Sequence, residues 1–412
     1  YEITDVTGVQ TCALPIYYGA GTNVTSSDID ILTIQDADQN MQFNLLGPSF
    51  TGTSRVSIHS NGTQGNGDSL GAATSISADG RYVAFESMAT NLVDNDTNGL
   101  SDIFVHDRQT GTTSLVSIHS NGTQGNYHSA SPSISADGRY VAFHSSATNL
   151  VDNDTNEYKD IFVHDRLTGS TTRVSVHTDG TQGNWNSWSP SLSADGRYVA
   201  FTSHSTNLVD DDTNDLPDVF VHDCQTGSTA RVSDGGQYPA LSANGRYVAF
   251  EDIDRNIFVR DRQTGSMTLV SVHTNGTQGN SWSEYPSISA DGRYVAFHSW
   301  ATNLVDDDTN GFVDIFVHDR QSRSTARVSV HTNGTQGNMD STSPSLSADG
   351  RYVAFDSKAT NLVDGDINVK QDIFVYDRQS GTTGLVSRHT NGTQGNRDRK
   401  STRLNSSHVS QS

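Results

Sequence analysis

The chain has 412 residues and a formal charge of −21. So acidic a sequence offers no basic footprint for nucleic acid, and no stretch approaches the roughly 18 apolar residues of a membrane span. The apolar fraction is low, at 33%, yet short aromatic and β-branched runs recur at fixed spacing, which argues against disorder.

At the N-terminus, Val6 to Ile16 reads VTGVQTCALPI, and near the other end Asp398 to His408 reads DRKSTRLNSSH. Codons can be chosen so that the DNA of one is the reverse complement of the DNA of the other, and that DNA resembles a short-read sequencing adapter. Residues 1–16 and 397–412 are therefore read as foreign sequence and set aside. The expectation is that the natural termini, and any signal peptide, lie outside the sequence. Cys12 falls in the foreign part, so Cys224 alone remains, and neither a disulfide framework nor a thiol metal site is expected.

Residues 17–53 form a lead-in. Within it, Gln42 to Ser57 loosely matches the last two strands of the repeat described next. From 54 to 396 the chain is periodic. The phrase S-A-[DN]-G-R-Y-V-A-F occurs six times, with its third residue at Asp79, Asp137, Asp195, Asn244, Asp291 and Asp349. The steps between them are 58, 58, 49, 47 and 58 residues, and periods in this range mark solenoids, propellers or arrays.

One unit, Ser131 to Asn184, predicts four strands. They are Ser131–Ser135, Tyr140–His144, Asp160–Asp165 and Thr172–Val176, lettered A to D. Asp137-Gly138 makes the A–B turn and Thr168-Gly169 the C–D turn. No segment carries a helical apolar stripe. Four-stranded antiparallel units in tandem predict an all-β propeller of six blades, with a truncated seven-bladed ring as the alternative. The repeated phrase resembles the S-P-D-G-x-x-I-A-F phrase of TolB-like, WD-repeat-like propellers, with Ala for Pro; that resemblance also implies six blades. The segment 42–57 would then be a closing clasp or half of a further blade.

Alternating strands put the tight A–B and C–D turns on one face, and the long B–C loops and D–A connections on the other. The B–C loops are acidic. With Asp94 as position 1, oxygens fall at Asp96 (3), Asn98 (5) and Asp102 (9), and Gly99 takes position 6. This is the oxygen spacing of a calcium loop, though the bidentate acid at position 12 is missing. It resembles the D-x-D-x-[DN]-G-x-x-D loops of integrin-type FG-GAP propeller repeats. The ladder recurs at Asp152, Asp154, Asn156 and Asp160; at Asp210, Asp212, Asn214 and Asp218; at Asp306, Asp308, Asn310 and Asp314; and at Asp364, Asp366, Asn368 and Asp372. The expected cofactor is calcium. The short fourth hairpin, Glu251 to Asn256, has no ninth-position acid and no expected site.

Histidines recur in strand C and after strand D, and are read as structural or rim residues. The N-G-T phrases at Asn61, Asn121, Asn275, Asn333 and Asn391 are read as turns. Aromatic residues on the loop face differ between blades. Tyr127, Trp185, Trp188, Trp282, Tyr285 and Trp300 are candidate ligand contacts for a glycan or a protein. No nucleophile elbow is present, and near-identical blades offer repetition where an active site needs one asymmetric constellation. The reading is a secreted or periplasmic, calcium-binding, non-catalytic module at the cell surface. Its alternatives are a propeller-type polysaccharide lyase and a self-assembling extracellular fibre subunit.

Overall fold

The computed structural model describes residues 53–69, 74–389 and 392–395. The two foreign-looking ends, and the lead-in up to residue 52, lie outside them. Blade 1 comprises Thr74–Ile76, Tyr82–Ser87, Asp102–Asp107 and Thr112–Leu115. Blade 2 comprises Ser129–Ile134, Tyr140–Ser145, Asp160–Asp165 and Ser170–Arg173, and blade 3 Ser187–Leu192, Tyr198–Ser203, Asp218–Asp223 and Ser228–Arg231. Blade 4 runs Gln237–Leu241, Tyr247–Glu251, Ile257–Asp261 and Met267–Leu269. Blade 5 runs Ser283–Ile288, Tyr294–Ser299, Asp314–Asp319 and Ser324–Arg327. Blade 6 runs Ser341–Leu346, Tyr352–Ser357, Asp372–Asp377 and Thr382–Leu385. Each is an antiparallel sheet in the order A-B-C-D, and the described residues contain no helix. The fold is therefore the expected all-β propeller of six four-stranded blades.

Strand D of blade 2 begins two residues earlier than expected and ends at Arg173. It stops there because the Ser175 side chain takes over the pairing: Ile161 N–H donates to Ser175 Oγ at 3.0 Å.

From blade 1 through blade 6, strand A of each blade touches strand A of the next, so the A strands line the axis and the D strands form the rim. Apolar residues point both ways from the central strands because each sheet is covered on both faces. Ala84, Ile103 and Val105 of blade 1 meet Val141, Phe143 and Phe162 of blade 2 in one buried layer. Burying each such Phe or Ile contributes about 1.5–3 kcal/mol.

The repeated phrase has a geometric cause. Ser77 Oγ donates to Asp79 Oδ1 (2.6 Å), which also accepts from Arg81 N–H, while Tyr82 N–H donates to Ser77 Oγ. Gly138 closes the next blade's turn at φ +72°, and a Cβ there would stand 2.1 Å from the Tyr82 ring. The position therefore needs glycine for its backbone and for its neighbour. Arg81 pairs bidentately with Asp107 at 2.9 and 2.7 Å and lies over Tyr82, and Arg166 of blade 2 stands 4.5 Å from the same ring. That hydrogen-bonded guanidinium holds the Asp107 carboxyl well below its ordinary range.

Successive blades are joined near the axis by Ala78 N–H to Ala136 O, Ala136 to Ala194, Ala194 to Ala243, Ala243 to Ala290 and Ala290 to Ala348. Between blades 6 and 1, residues 53–58 intervene. Thr113 Oγ1 donates to Ile58 O, and Thr53 Oγ1 donates in the same way to Arg388 O. Val56 packs on Phe85 and Phe104 of blade 1, the place that Val116 takes against blade 2. Residues 53–58, the described end of the segment read as a clasp or half-blade, thus hold an outer-strand place between the sixth blade and the first.

Candidate functional site

The loop-bearing face begins with a repeated lock. In the D–A connection, His59 Nδ1 accepts from Asn61 N–H at 3.1 Å, and Asn61 Oδ1 accepts from Thr63 N–H at 2.9 Å. The N-G-T phrases are therefore turns at their described copies; Asn391 lies outside the described residues. Asn66 then clasps the following B–C loop: its N–H donates to Asn91 Oδ1 at 2.8 Å and its Oδ1 accepts from Thr90 N–H at 2.9 Å. The clasp repeats at Asn126, Asn184, Asn280 and Asn338.

Each acidic loop divides its four ladder residues. The position-1 carboxylate turns outward: Asp94 is 91% exposed and its Oδ1 lies 3.5 Å from His59 Nε2. Asp152, Asp210, Asp306 and Asp364 do the same with His119, His177, His273 and His331 at 3.5–3.8 Å. Since each of these histidines accepts at Nδ1, its Nε2 carries the proton that faces the aspartate. Positions 3, 5 and 9 turn inward and converge. Asp96 and Asp102 are buried, Asn98 Nδ2 donates to Asp102 Oδ2 at 2.7 Å, and Ser117 Oγ donates to Asp102 Oδ1 at 2.6 Å. Burial pushes Asp102, Asp160 and Asp314 up to about 6. Position 6 keeps a left-handed backbone whatever its side chain, at Gly99, Glu157, Asp215, Gly311 and Val369.

The last residue of strand D was not foreseen as part of this site. In blade 2, Arg173 Nη1 stands 2.9 Å from Asp154 Oδ1 and 3.5 Å from Asp160 Oδ2. Arg231 Nη1 stands 3.2 Å from both Asp212 and Asp218, and Arg327 Nη1 2.8 Å from Asp308 and 3.5 Å from Asp314. Leu115 and Leu385 take that register in blades 1 and 6. Among the described residues no group of three or more His, Cys, Asp or Glu side chains is gathered as metal ligands. The four side chains expected around one point are divided, with position 1 turned away toward a histidine.

The strand C histidines are structural. His106 Nδ1 lies 2.9 Å from Thr113 Oγ1, and because that hydroxyl donates to Ile58 O, the imidazole must be the donor. Burial pushes the equivalent His164 and His318 down to about 4, so they are neutral near pH 7.

The variable aromatics split into several clusters. Tyr127 sits edge-on to His128, Trp185 against Tyr158, and Trp188 against His204. The largest cluster spans blades 4 and 5, beside the short hairpin of blade 4. Tyr238 and Tyr285 lie 4.6 Å apart, Tyr285 and His298 5.4 Å, His298 and Trp300 5.2 Å, and Trp300 and Trp282 6.2 Å. Trp282, Tyr285 and Trp300 are 53%, 41% and 40% exposed. Arg255, from the short hairpin, lies 4.3 Å over Trp282 and pairs with Glu284. His298 Nε2 is 3.6 Å from Glu284 Oε2, and this contact, with the arginine, keeps the Glu284 carboxyl below its usual range. Nearby, burial pushes Glu251 up to about 7. Arg255, His298, Glu251 and Glu284 escaped the sequence reading. Each departs from, or varies in, a column of the repeat, and that was the available signal.

No protein-family profile and no curated protein matches the chain. Solved structures do. A TolB protein from Agrobacterium tumefaciens shares 16% identity over 68% of this chain and 87% of its own, with a TM-score of 0.42. An oligogalacturonate lyase from Vibrio parahaemolyticus shares 12% identity over 77% of this chain and 78% of its own, with a TM-score of 0.50. A second oligogalacturonate lyase, in complex with manganese, shares 11% identity over 77% of each chain, with a TM-score of 0.49. The likeness is one of fold. Among the described residues no helix is long and apolar enough to cross a membrane.

Proposed function

We propose that this protein is a non-catalytic binding propeller working outside the cytoplasm, stabilised by calcium at its acidic loops, whose loop face over blades 4 and 5 takes a glycan. The supporting observation is the run of partly exposed rings from Tyr238 through Tyr285, His298 and Trp300 to Trp282, bordered by Arg255 and Glu284. It is the one broad asymmetric cluster described on an otherwise repeated face. Flat rings suit the apolar faces of sugars, and fixed charged groups at the edge suit their hydroxyls or carboxylates. A station outside the cytoplasm fits weak calcium loops, since extracellular modules work with dissociation constants on the order of 10⁻⁴ to 10⁻³ M.

The test is a titration of intrinsic tryptophan fluorescence with trigalacturonate and with cellotriose. Saturable quenching in the wild type, lost in Trp282→Ala and Trp300→Ala at unchanged melting temperature, supports the reading. No response to either sugar removes the glycan assignment. The second reading, a polysaccharide lyase, draws on the oligogalacturonate lyases of like fold. It is separated by incubating the protein with oligogalacturonate and divalent metal and following unsaturated product at its ultraviolet absorbance: the proposed module leaves the sugar intact. A fibre subunit would elute as concentration-dependent multimers in gel filtration.

A further inference from the structure

Five loops share the inward-facing acid pair, but they do not share what faces it. We infer that only the loops of blades 1 and 6 take up calcium, whereas blades 2, 3 and 5 carry a built-in guanidinium at the same place. The inference rests on the calcium reading above and narrows it from five loops to two.

In three blades the acid pair is met by a guanidinium. Arg173, Arg231 and Arg327 each end strand D opposite a strand C phenylalanine, Phe162, Phe220 and Phe316. From there each places one nitrogen within 3.5 Å of both the position-3 and the position-9 carboxylate. Carboxylates taken out of water need a compensating charge, and the guanidinium supplies it.

Blades 1 and 6 have the acids without the arginine. Leu115 and Leu385 occupy the register opposite Phe104 and Phe374. In blade 6, Asp366 is 9% and Asp372 2% exposed. An oxygen of each, Asp366 Oδ2 and Asp372 Oδ2, is buried without a hydrogen-bond partner. Ser387 Oγ satisfies only the other oxygen of Asp372, at 2.5 Å. Arg388, on the following connection, acts on Asp366 only through its field, and no ion pair joins it to either acid among the described residues. In blade 1 the partners are neutral: Asn98 Nδ2 on Asp102, Ser117 Oγ on Asp102, and Gln124 Nε2 on Asp96 at 3.4 Å.

A hard divalent ion suits these two loops because its ligands would be carboxylate oxygens, with the Asn98 and Gln124 amides of blade 1, which now donate to the acids, turning their oxygens inward. Loop carbonyls and water complete its shell. The same ion is excluded from blades 2, 3 and 5, where a fixed positive charge already stands between the acids.

The experiment is a calorimetric titration of calcium into the chelator-stripped full chain. The expected stoichiometry is two, falling to one in Leu115→Arg and rising to three in Arg327→Leu. A stoichiometry of five keeps the calcium reading and overturns this inference; zero overturns both. Should Arg327→Leu fail to fold without calcium, Leu115→Arg still decides, because a variant that still binds two ions contradicts the assignment.

Discussion

The two faces of the propeller are built by opposite rules. On the turn face every blade repeats one set: an Asp-Gly or Asn-Gly turn, an arginine bound to the aspartate that ends strand C, and a tyrosine under the arginine. On the loop face the backbone lock repeats in every blade but the fourth, and its contents vary. Arginine stands beside the acid pairs of blades 2, 3 and 5 and leucine beside those of blades 1 and 6, blade 4 has a short hairpin, and Trp282 and Trp300 lie beside it. Repetition therefore reports what holds the blades together, and departures from it report where the molecule meets something else.

The turn face should break most severely. Gly196 sits at φ +73° with a would-be Cβ 2.2 Å from the Tyr140 ring, so Gly196→Ala is expected to cost several kcal/mol, on the order of 3 or more, in chemical denaturation. A wild-type midpoint would refute the packing account.

On the loop face, Arg327→Ala should cost about 3 kcal/mol by leaving Asp308 and Asp314 buried without a counter-charge. Added calcium should restore part of that loss, which it could not do if the arginine served packing alone.

A smaller effect is expected in the pH profile. Burial raises Glu251 from an ordinary 4.5 to about 7 in the folded protein. Its neighbours are Gln237, Glu284, Arg255 and the backbone of Tyr285. A raised folded value favours the protonated form, so the stabilisation is full below about pH 4.5 and is lost as pH rises through 7. Glu251→Gln should match the wild type near pH 4 and melt a few degrees higher at pH 8. Equal melting at both would show that the carboxylate is not desolvated.

The smallest effect concerns a gap in the turn-face pattern at blade 3. Cys224 stands where Arg166 and Arg262 of sister blades cover a tyrosine, so Tyr140 has only Arg139 over it among the described residues. Cys224→Arg should stabilise by about 0.5–1 kcal/mol through a second cation–π contact.

Much of this was legible in the sequence. The period gave the blades, Asp-Gly and Thr-Gly gave the turns, and strand alternation gave the two faces. What could not be read was which oxygens share a centre. Spacing of 1, 3, 5 and 9 suggested one cluster, yet Asp94 is drawn away by His59, a residue on the preceding connection. Conversely, Arg173 lies 13 residues beyond Asp160 and reads as an outer-strand surface residue, although its nitrogen reaches the acid pair. Local spacing encodes a loop's own geometry; partners that arrive from other strands are fixed only when the sheet forms. Lining up the six copies exposes the Leu115, Arg173, Arg231, Leu269, Arg327, Leu385 column, and that comparison is where the sequence held the missing information.

The most direct test is an anomalous-difference map from a crystal grown with terbium in place of calcium. The account predicts one peak between Asp96 and Asp102 and one between Asp366 and Asp372, with none beside Arg173, Arg231 or Arg327. Equal peaks in all five acidic loops, or peaks only beside the arginines, would contradict it.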